Sequence, residues 1–211
     1  MTNSLKPSDN LKNVPEAINI LSQYGDQLGN ALAKLSDALK LNLHYWKSAG
    51  FVEFEEPTEM WYTPIWDRDT LNPFSLIPLL DSTHYFINRK FRAKGIKGIR
   101  KGDAFIAIDA FPNGASETVE WPKDGSLTSL PIEAPFLRIY VHMVKEDSRR
   151  SFNNLFDDLD DYPTDVDGFF KSEIPNLVAW VGKFELGKFL EDQQEVISAL
   201  GDVLQKMVSA N

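Results

Sequence analysis

Apolar residues recur every three or four positions in the N-terminal part of the chain, and this spacing predicts a long amphipathic helix over residues 13–48. Asn13 and Glu16 form a helix-start signal, and Pro15 is tolerated in a first turn. Residues 1–12 are polar and are predicted to be a flexible tail. The apolar positions of the helix are Val14, Ile18, Leu21, Leu28, Leu32, Leu35, Leu39 and Trp46.

The C-terminal part repeats this spacing, which predicts amphipathic helices at the other end of the chain. The apolar positions are Leu186, Leu190, Ile197, Leu200, Leu204 and Met207. Two narrow apolar stripes require a surface that covers them. One hypothesis packs the terminal helices on each other or on a sheet within one molecule, and the alternative pairs them between two copies as a coiled-coil dimer.

Between the helices, short runs that alternate apolar and polar residues are rich in aromatic and β-branched side chains, which is typical of strands. Turn-forming residues such as Lys101-Gly102-Asp103 separate several of these runs. The order helix, strands, helices predicts an α+β fold with a mainly antiparallel central sheet. We predict strands over residues 51–55, 59–63, 84–92, 104–111, 117–121 and 136–145.

The length of 211 residues and the apolar content of 43% predict a single domain with a sizeable core after the tail, over residues 13–211. This domain is expected to consist of the N-terminal helix (13–48), a β-rich core (49–148), and a C-terminal part (149–211) that holds an acidic loop and the C-terminal helices.

Two of the predicted strands have one aliphatic face and one mixed face, because successive side chains point to opposite sides of a sheet. The aliphatic positions are Ala104, Ile106, Ile108, Ala110, Leu137, Ile139, Val141 and Met143. The mixed positions are Phe105, Ala107, Asp109, Phe111, Phe136, Arg138, Tyr140 and His142. If the strands are neighbours, the mixed positions form one surface with His84 and Lys90 from strand 84–92.

This mixed surface supports an enzyme hypothesis. Asp109 would act as base or orienting group, and His142 would transfer the proton. Arg138 and Lys90 would hold an anionic substrate, so that the reaction would be a hydrolysis or the processing of a phosphate ester. The alternative is an Asp–Arg pair on a solvated sheet face, with Tyr140 covering apolar neighbours and no chemistry.

A basic segment over residues 89–101 stands out because the chain as a whole has a net charge of -9. Its seven cations are Arg89, Lys90, Arg92, Lys94, Lys97, Arg100 and Lys101. Gly95, Gly98 and Gly102 could turn backbone N–H groups toward a bound anion, and the cations add charge, which favours phosphate or nucleic acid as the ligand. The alternative is a solvated hairpin loop whose lysines keep a strand edge from pairing.

An acidic segment over residues 157–167 carries six aspartates and no base, and it predicts a docking surface for a basic partner protein. The aspartates are Asp157, Asp158, Asp160, Asp161, Asp165 and Asp167. An EF-hand is excluded, because aligning Gly168 with the loop glycine leaves Pro163 at the first ligand position and Ile174 at the last. The alternative is a solvated acidic loop, and no metal site is predicted.

The composition limits the cellular compartments and the kinds of chemistry that are expected for this chain. The chain has no cysteine, so disulfides, thiol nucleophiles and cysteine-bound zinc are excluded. A secretory signal and a run of eighteen apolar residues are both missing from the sequence, which leads us to expect a cytoplasmic protein that is not inserted in a membrane. Nucleotide-binding glycine loops and the hydrolase elbow are also missing, and no cofactor is predicted.

These patterns favour a non-enzymatic interaction or adaptor protein. It would use its segregated basic and acidic surfaces to bind an anionic ligand or a partner protein, and its terminal helices to form a homo-oligomer. Two alternatives stay open, namely an enzyme with its site on the mixed face and a structural subunit of a larger assembly.

Overall fold

A computed structural model of the chain describes residues 7–48, 82–88, 98–112, 134–149 and 163–209, with the side chains of 7–12 and 44–48 left out of that description. The predicted strands 51–55, 59–63 and 117–121 lie outside these ranges. Among the described residues, no helix is long and apolar enough to cross a membrane.

Helix α1 runs from Pro7 to Leu39 and therefore begins earlier and ends earlier than predicted. Residues 7–12 are helical instead of forming part of a tail, and Pro15 lies in the helix interior. The helix ends because Lys40 adopts a left-handed backbone conformation (φ 53°). Two backbone hydrogen bonds form a Schellman motif at this end of the helix, from Lys40 N to Asp37 O (3.3 Å) and from Leu41 N to Ser36 O (2.9 Å).

Six strands of the described ranges form one antiparallel sheet, which confirms the predicted α+β class. The strand order is β1-β2-β3-β4-β6-β5. Strands β3 and β4 are at the centre and coincide closely with the predicted runs 104–111 and 136–145. The strands are β1 (Asn42–Ser48), β2 (Ser82–Asn88), β3 (Ala104–Phe111), β4 (Phe136–Val144), β5 (Gly168–Phe170) and β6 (Leu177–Glu185).

Three of these strands correct the sequence-based prediction. Strand β1 occupies residues that were assigned to the end of the N-terminal helix. Strands β5 and β6 occupy a region where a loop and helices were predicted. Residues 177–182 of β6 are apolar and buried or half-buried on both faces of the sheet, so this part of the strand is a continuous apolar run without a clear alternation.

The C-terminal stripe is divided between two helices, α2 (Leu186–Glu191) and α3 (Gln194–Ser209). Gln193, which fills a gap in the predicted stripe, lies between them. Its buried side-chain amide donates hydrogen bonds to Phe189 O (2.6 Å) and Leu190 O (3.3 Å), so it satisfies carbonyls at the end of α2. The chain can turn there without leaving these groups unpaired.

The three helices among the described residues cover the same side of the sheet, which we call the helix face. Leu32 and Leu35 of α1, with Leu200 and Met207 of α3, pack against the aliphatic residues of the central strands. The packing hypothesis for the terminal helices is therefore correct for these parts of α1 and α3. The aliphatic residues on this face are Ala104, Ile106, Ile108, Ala110, Leu137, Ile139, Val141 and Met143.

The opposite side of the sheet, which we call the aromatic face, carries the mixed positions of β3 and β4. All of them are buried as well, so both central strands are enclosed on their two sides. Its residues are Phe105, Ala107, Asp109, Phe111, Phe136, Arg138, Tyr140 and His142. The division of side chains between the two faces agrees with the prediction for both strands.

Candidate functional site

One row of polar residues crosses the aromatic face near one end of the central strands. The antiparallel register places Thr83 of β2 opposite Asp109 of β3, Asp109 opposite Arg138 of β4, and Arg138 opposite Lys183 of β6. We call these four residues the polar row. Residues that face each other in this way have Cβ atoms about 5 Å apart. The sheet therefore brings one buried acid and two basic residues into a single line.

Arg138 is the most constrained member of the polar row. It is only 6% exposed, and its guanidinium carbon lies 5.4 Å from the ring centre of Phe136 and 6.0 Å from that of Phe111. Nη2 donates one long hydrogen bond, 3.3 Å, to the backbone carbonyl of Thr164. Nη1 is buried and has no hydrogen-bond partner in the part of the chain that the structure describes. Aromatic rings compensate part of the cost of burying this charge, but one donor stays unsatisfied.

Tyr140 lies two residues after Arg138 on the same face of β4 and contacts the same loop. Its hydroxyl donates a 3.3 Å hydrogen bond to the carbonyl of Pro163. The two neighbouring donors, Arg138 and Tyr140, therefore bind two consecutive backbone carbonyls. Both bonds lie near the upper limit of hydrogen-bond length.

Lys183 ends the polar row on the β6 side. Its ammonium nitrogen lies 4.0 Å from the ring centre of Phe136, while the side chain itself is exposed. The two cations Arg138 and Lys183 thus share one aromatic ring. Like charges directly across a strand pair repel each other, so this end of the row favours a negatively charged group.

His142 does not join the polar row. It is fully buried, stacks on Phe105 with ring centres 4.7 Å apart and an interplanar angle of 6°, and meets the edge of Phe170. Phe105, and not Asp109, is its neighbour on β3. Four residues of strand separate it from the row, about 13 Å. Asp109 and His142 share a face but are too far apart to exchange a proton directly.

His84 lies on the helix face, so the prediction that it joins the mixed surface is wrong. Its strand partner on β3 is Ile108, an aliphatic core residue. Nε2 is 3.0 Å from the hydroxyl of Ser82, and burial lowers the pKa of His84 to about 3. Lys90, the other residue expected from this strand, lies outside the described residues.

The basic segment is described only at its end, where it forms the predicted turn. Gly102 has φ 84° and Asp103 N bonds Arg100 O at 2.9 Å. The Arg100 guanidinium pairs with Asp147 at 2.6 Å, and the other carboxylate oxygen accepts the Lys101 backbone N–H at 3.0 Å. Exposed pairs of this kind contribute at most about 1 kcal/mol. The remaining members, Arg89, Lys90, Arg92, Lys94 and Lys97, lie outside the described residues.

The acidic segment is described from residue 163 onward. Asp165 and Asp167 are exposed, and they follow the Pro163 and Thr164 carbonyls that Tyr140 and Arg138 bind. This end of the segment therefore borders the polar row. In the described parts of the chain, no group of three His, Asp or Glu side chains could hold a metal ion. The remaining aspartates, Asp157, Asp158, Asp160 and Asp161, lie outside the described residues.

Sequence reasoning missed two features that the structure adds. Lys183 and Thr83 extend the polar row on both sides, and Lys183 would have been found if β6 had been assigned as a strand with its own alternation. The contact of Arg138 and Tyr140 with residues 163–164 joins positions more than twenty residues apart. No local pattern in the sequence marks such a contact.

The N-terminal half of α1 is a second candidate surface. Residues 13–20 are all exposed, including Val14 at 44% and Ile18 at 40%, whereas Leu28, Leu32 and Leu35 of the same stripe are buried in the core. Both halves belong to the same stripe with its spacing of three and four. The exposed half therefore presents apolar positions that the described residues do not cover.

Comparisons with protein-family models, curated proteins and solved structures find nothing that matches this chain.

Proposed function

We propose that this chain is a non-enzymatic interaction protein that assembles through the N-terminal half of α1, defined as residues 7–23. The observation that supports the proposal is the exposed apolar stripe on the N-terminal half of α1, a helix whose C-terminal half packs in the core. Val14 and Ile18 lie on the same side of the helix as Leu28 and Leu32 because the spacing continues without a break. Exposed apolar residues in such a row are characteristic of a binding surface.

The shape of the stripe favours another helix as its partner. Val14, Ile18 and Leu21 keep the spacing of three and four that forms the narrow seam of a coiled coil, and the exposed Ile20 lies to one side of that stripe. Pro15, Ala17 and Ser22 flank the seam and carry no charge. A second helix can therefore approach closely without burying an ionised side chain.

The distribution of charge favours a second copy of this chain as the partner of the stripe. The whole chain carries -9, so two copies repel each other over most of their surface. Residues 7–23 contain only Asp9, Lys12 and Glu16 as charged residues, so this half of α1 is nearly neutral. Antiparallel pairing of two such halves brings Val14 of one copy against Ile18 of the other.

The expected dimer is weak. Seventeen residues of helix span about 25 Å, and a pair of that length buries less than the roughly 1,200 Å² typical of a stable interface. Association in the micromolar range or weaker follows. In this proposal the acidic segment contacts a basic partner, and its two described aspartates, Asp165 and Asp167, are exposed.

Light scattering and sedimentation of the full chain over a concentration series test this proposal. The average mass should rise from monomer toward dimer with concentration. The double variant Val14→Glu, Ile18→Glu should remain monomeric with an unchanged unfolding midpoint, because both residues are exposed and neither belongs to the core of the described residues.

The control is Asn19→Glu with Gln23→Glu, which adds the same charge to exposed positions of the same helix off the stripe. It should assemble like the wild type apart from a small repulsive effect. A wild type that stays monomeric up to several hundred micromolar, or a stripe variant that dimerises normally, would refute the proposal.

The geometry does not favour the enzyme alternative in its original form, since His142 is stacked in the core about 13 Å from Asp109. A structural subunit remains compatible with the same stripe. It would assemble with unrelated chains, and the concentration series would then show a monomer.

A further inference from the structure

Arg138 carries a buried positive charge that the described residues compensate only in part. Arg138 forms no ion pair with the described residues. Its guanidinium donates one 3.3 Å hydrogen bond and lies near two aromatic rings. Buried guanidinium groups are normally matched by a carboxylate or phosphate. A donor that is left unsatisfied at such a site points to an anionic group that binds there.

The contacts of the loop at residues 163–164 show where that group would sit. Arg138 Nη2 and Tyr140 Oη donate to two successive carbonyl oxygens, each at 3.3 Å. The two oxygens of a carboxylate could accept from the same two donors. Because charge-assisted bonds are shorter, about 2.7–2.9 Å, and roughly twice as strong as bonds to neutral carbonyls, a carboxylate would compete well for them.

We propose that Arg138 and Tyr140 form a binding site for the carboxylate group of a small molecule or of a peptide C-terminus, and that the Pro163 and Thr164 carbonyls occupy its donors in this structure. The ligand enters by displacing residues 163–164 from the aromatic face. Lys183, on the exposed side of the same row, attracts the ligand and provides a second positive charge.

The charges around the site favour a single negative charge over a phosphate dianion. Arg138 and Lys183 supply two positive charges, while Asp109 stands directly opposite Arg138 on β3. Asp165 and Asp167 follow the displaced carbonyls along the chain. A dianion would meet these three acids, whereas the planar fork of arginine matches a monoanionic carboxylate.

This inference is independent of the assembly surface on α1, since it involves the opposite side of the sheet from the one on which α1 packs. Dimerisation and carboxylate binding can therefore fail separately. Concentration-dependent mass reports on the first, and ligand-dependent unfolding of the monomer reports on the second.

The first experiment measures the unfolding midpoint of the full chain at constant ionic strength. The probes are acetate, an acetylated tripeptide with a free C-terminal carboxylate, the same tripeptide amidated, phosphate and chloride. Acetate or the free-carboxylate tripeptide should raise the midpoint progressively with concentration, relative to chloride and to the amidated tripeptide. A larger response to the tripeptide identifies a peptide C-terminus as the source, and equal responses identify a small carboxylate.

The second experiment uses variants to assign the response to the site. Arg138→Gln should weaken carboxylate binding about ten- to a hundredfold, because a charge-assisted hydrogen bond is lost. If this variant does not fold, Tyr140→Phe and Lys183→Gln remain usable, and each should weaken binding severalfold. Arg100→Gln is the matched control, since that arginine is exposed and paired with Asp147.

Two results would overturn the proposal. One is a response to carboxylates no larger than the response to chloride, or a larger response to phosphate than to acetate. The other is wild-type binding by both Tyr140→Phe and Lys183→Gln.

Discussion

The two faces of the central sheet are buried to a similar extent but differ in chemistry. On the helix face, β3 and β4 contribute only aliphatic side chains, which interlock with leucines of α1 and α3. On the aromatic face, the same strands contribute rings together with Asp109, Arg138 and His142, all buried. Burial alone therefore does not distinguish a stabilising surface from a binding surface. The difference lies in the polar and charged side chains that only one of these two buried faces carries on β3 and β4.

The helix face should be the more sensitive to truncation. Ile139→Ala removes a fully buried side chain from the middle of this face and should lower the free energy of unfolding by about 2–5 kcal/mol. Chemical denaturation measures the change. Ile139→Val should cost only about 0.5–1.5 kcal/mol, as expected for a smaller cavity. A loss below 1 kcal/mol for the alanine variant would mean that the helices do not pack here as described.

His84 is the exception on the helix face, and its titration sharpens the comparison. Burial lowers its pKa to about 3 in the folded chain, whereas the unfolded chain protonates it near 6.5. Between these values the unfolded state binds more protons, so stability should fall as the pH drops from 6.5 toward 3. The slope due to this group is about 1.4 kcal/mol per pH unit.

Comparison with His84→Gln separates the pH dependence due to His84 from that of the carboxylates, which also titrate in acid. Glutamine can keep a hydrogen bond to Ser82 without titrating, so the variant should lose stability less steeply between pH 6 and 4.5. Identical pH profiles for the two proteins would show that His84 is accessible to protons in the folded state.

The smallest effect is expected on the aromatic face. Tyr140→Phe keeps the ring and removes the 3.3 Å hydrogen bond to Pro163, so it should cost about 0.5–1.5 kcal/mol. Hydrogen exchange at residues 163–167 should become faster, since the loop loses one of the two hydrogen bonds that Arg138 and Tyr140 donate to it. A loss of more than about 3 kcal/mol in the free energy of unfolding would contradict the interpretation that this loop is only weakly bound to Arg138 and Tyr140.

Sequence reasoning succeeded where one periodicity dominated. Strands 104–111 and 136–145 and the division of their faces were predicted because period-two alternation is unambiguous when one face is aliphatic. It failed at residues 42–48, where Trp46 continued the helical spacing although Lys40 had already ended the helix. Glycine usually marks such an end, and a lysine in the left-handed conformation leaves no signal.

The candidate site was predicted in part for the same reason. Asp109 and Arg138 follow from strand alternation, and their pairing needs only that β3 and β4 be neighbours. His84 was placed on the wrong face because the register between strands cannot be read from one strand alone, and a shift of one residue exchanges the two faces. The contact with residues 163–164 depends on tertiary structure and has no local signature.

The proline inside α1 has a consequence for any partner of the exposed stripe. Pro15 has no N–H group, so the helix lacks the bond that would reach back to the carbonyl of residue 11. One backbone hydrogen bond fewer therefore connects the preceding turns to the rest of the helix. This gap lies next to the apolar residue Val14. A second chain packed against Val14 would contact the helix on both sides of the missing bond, so binding would stabilise the first turns of α1.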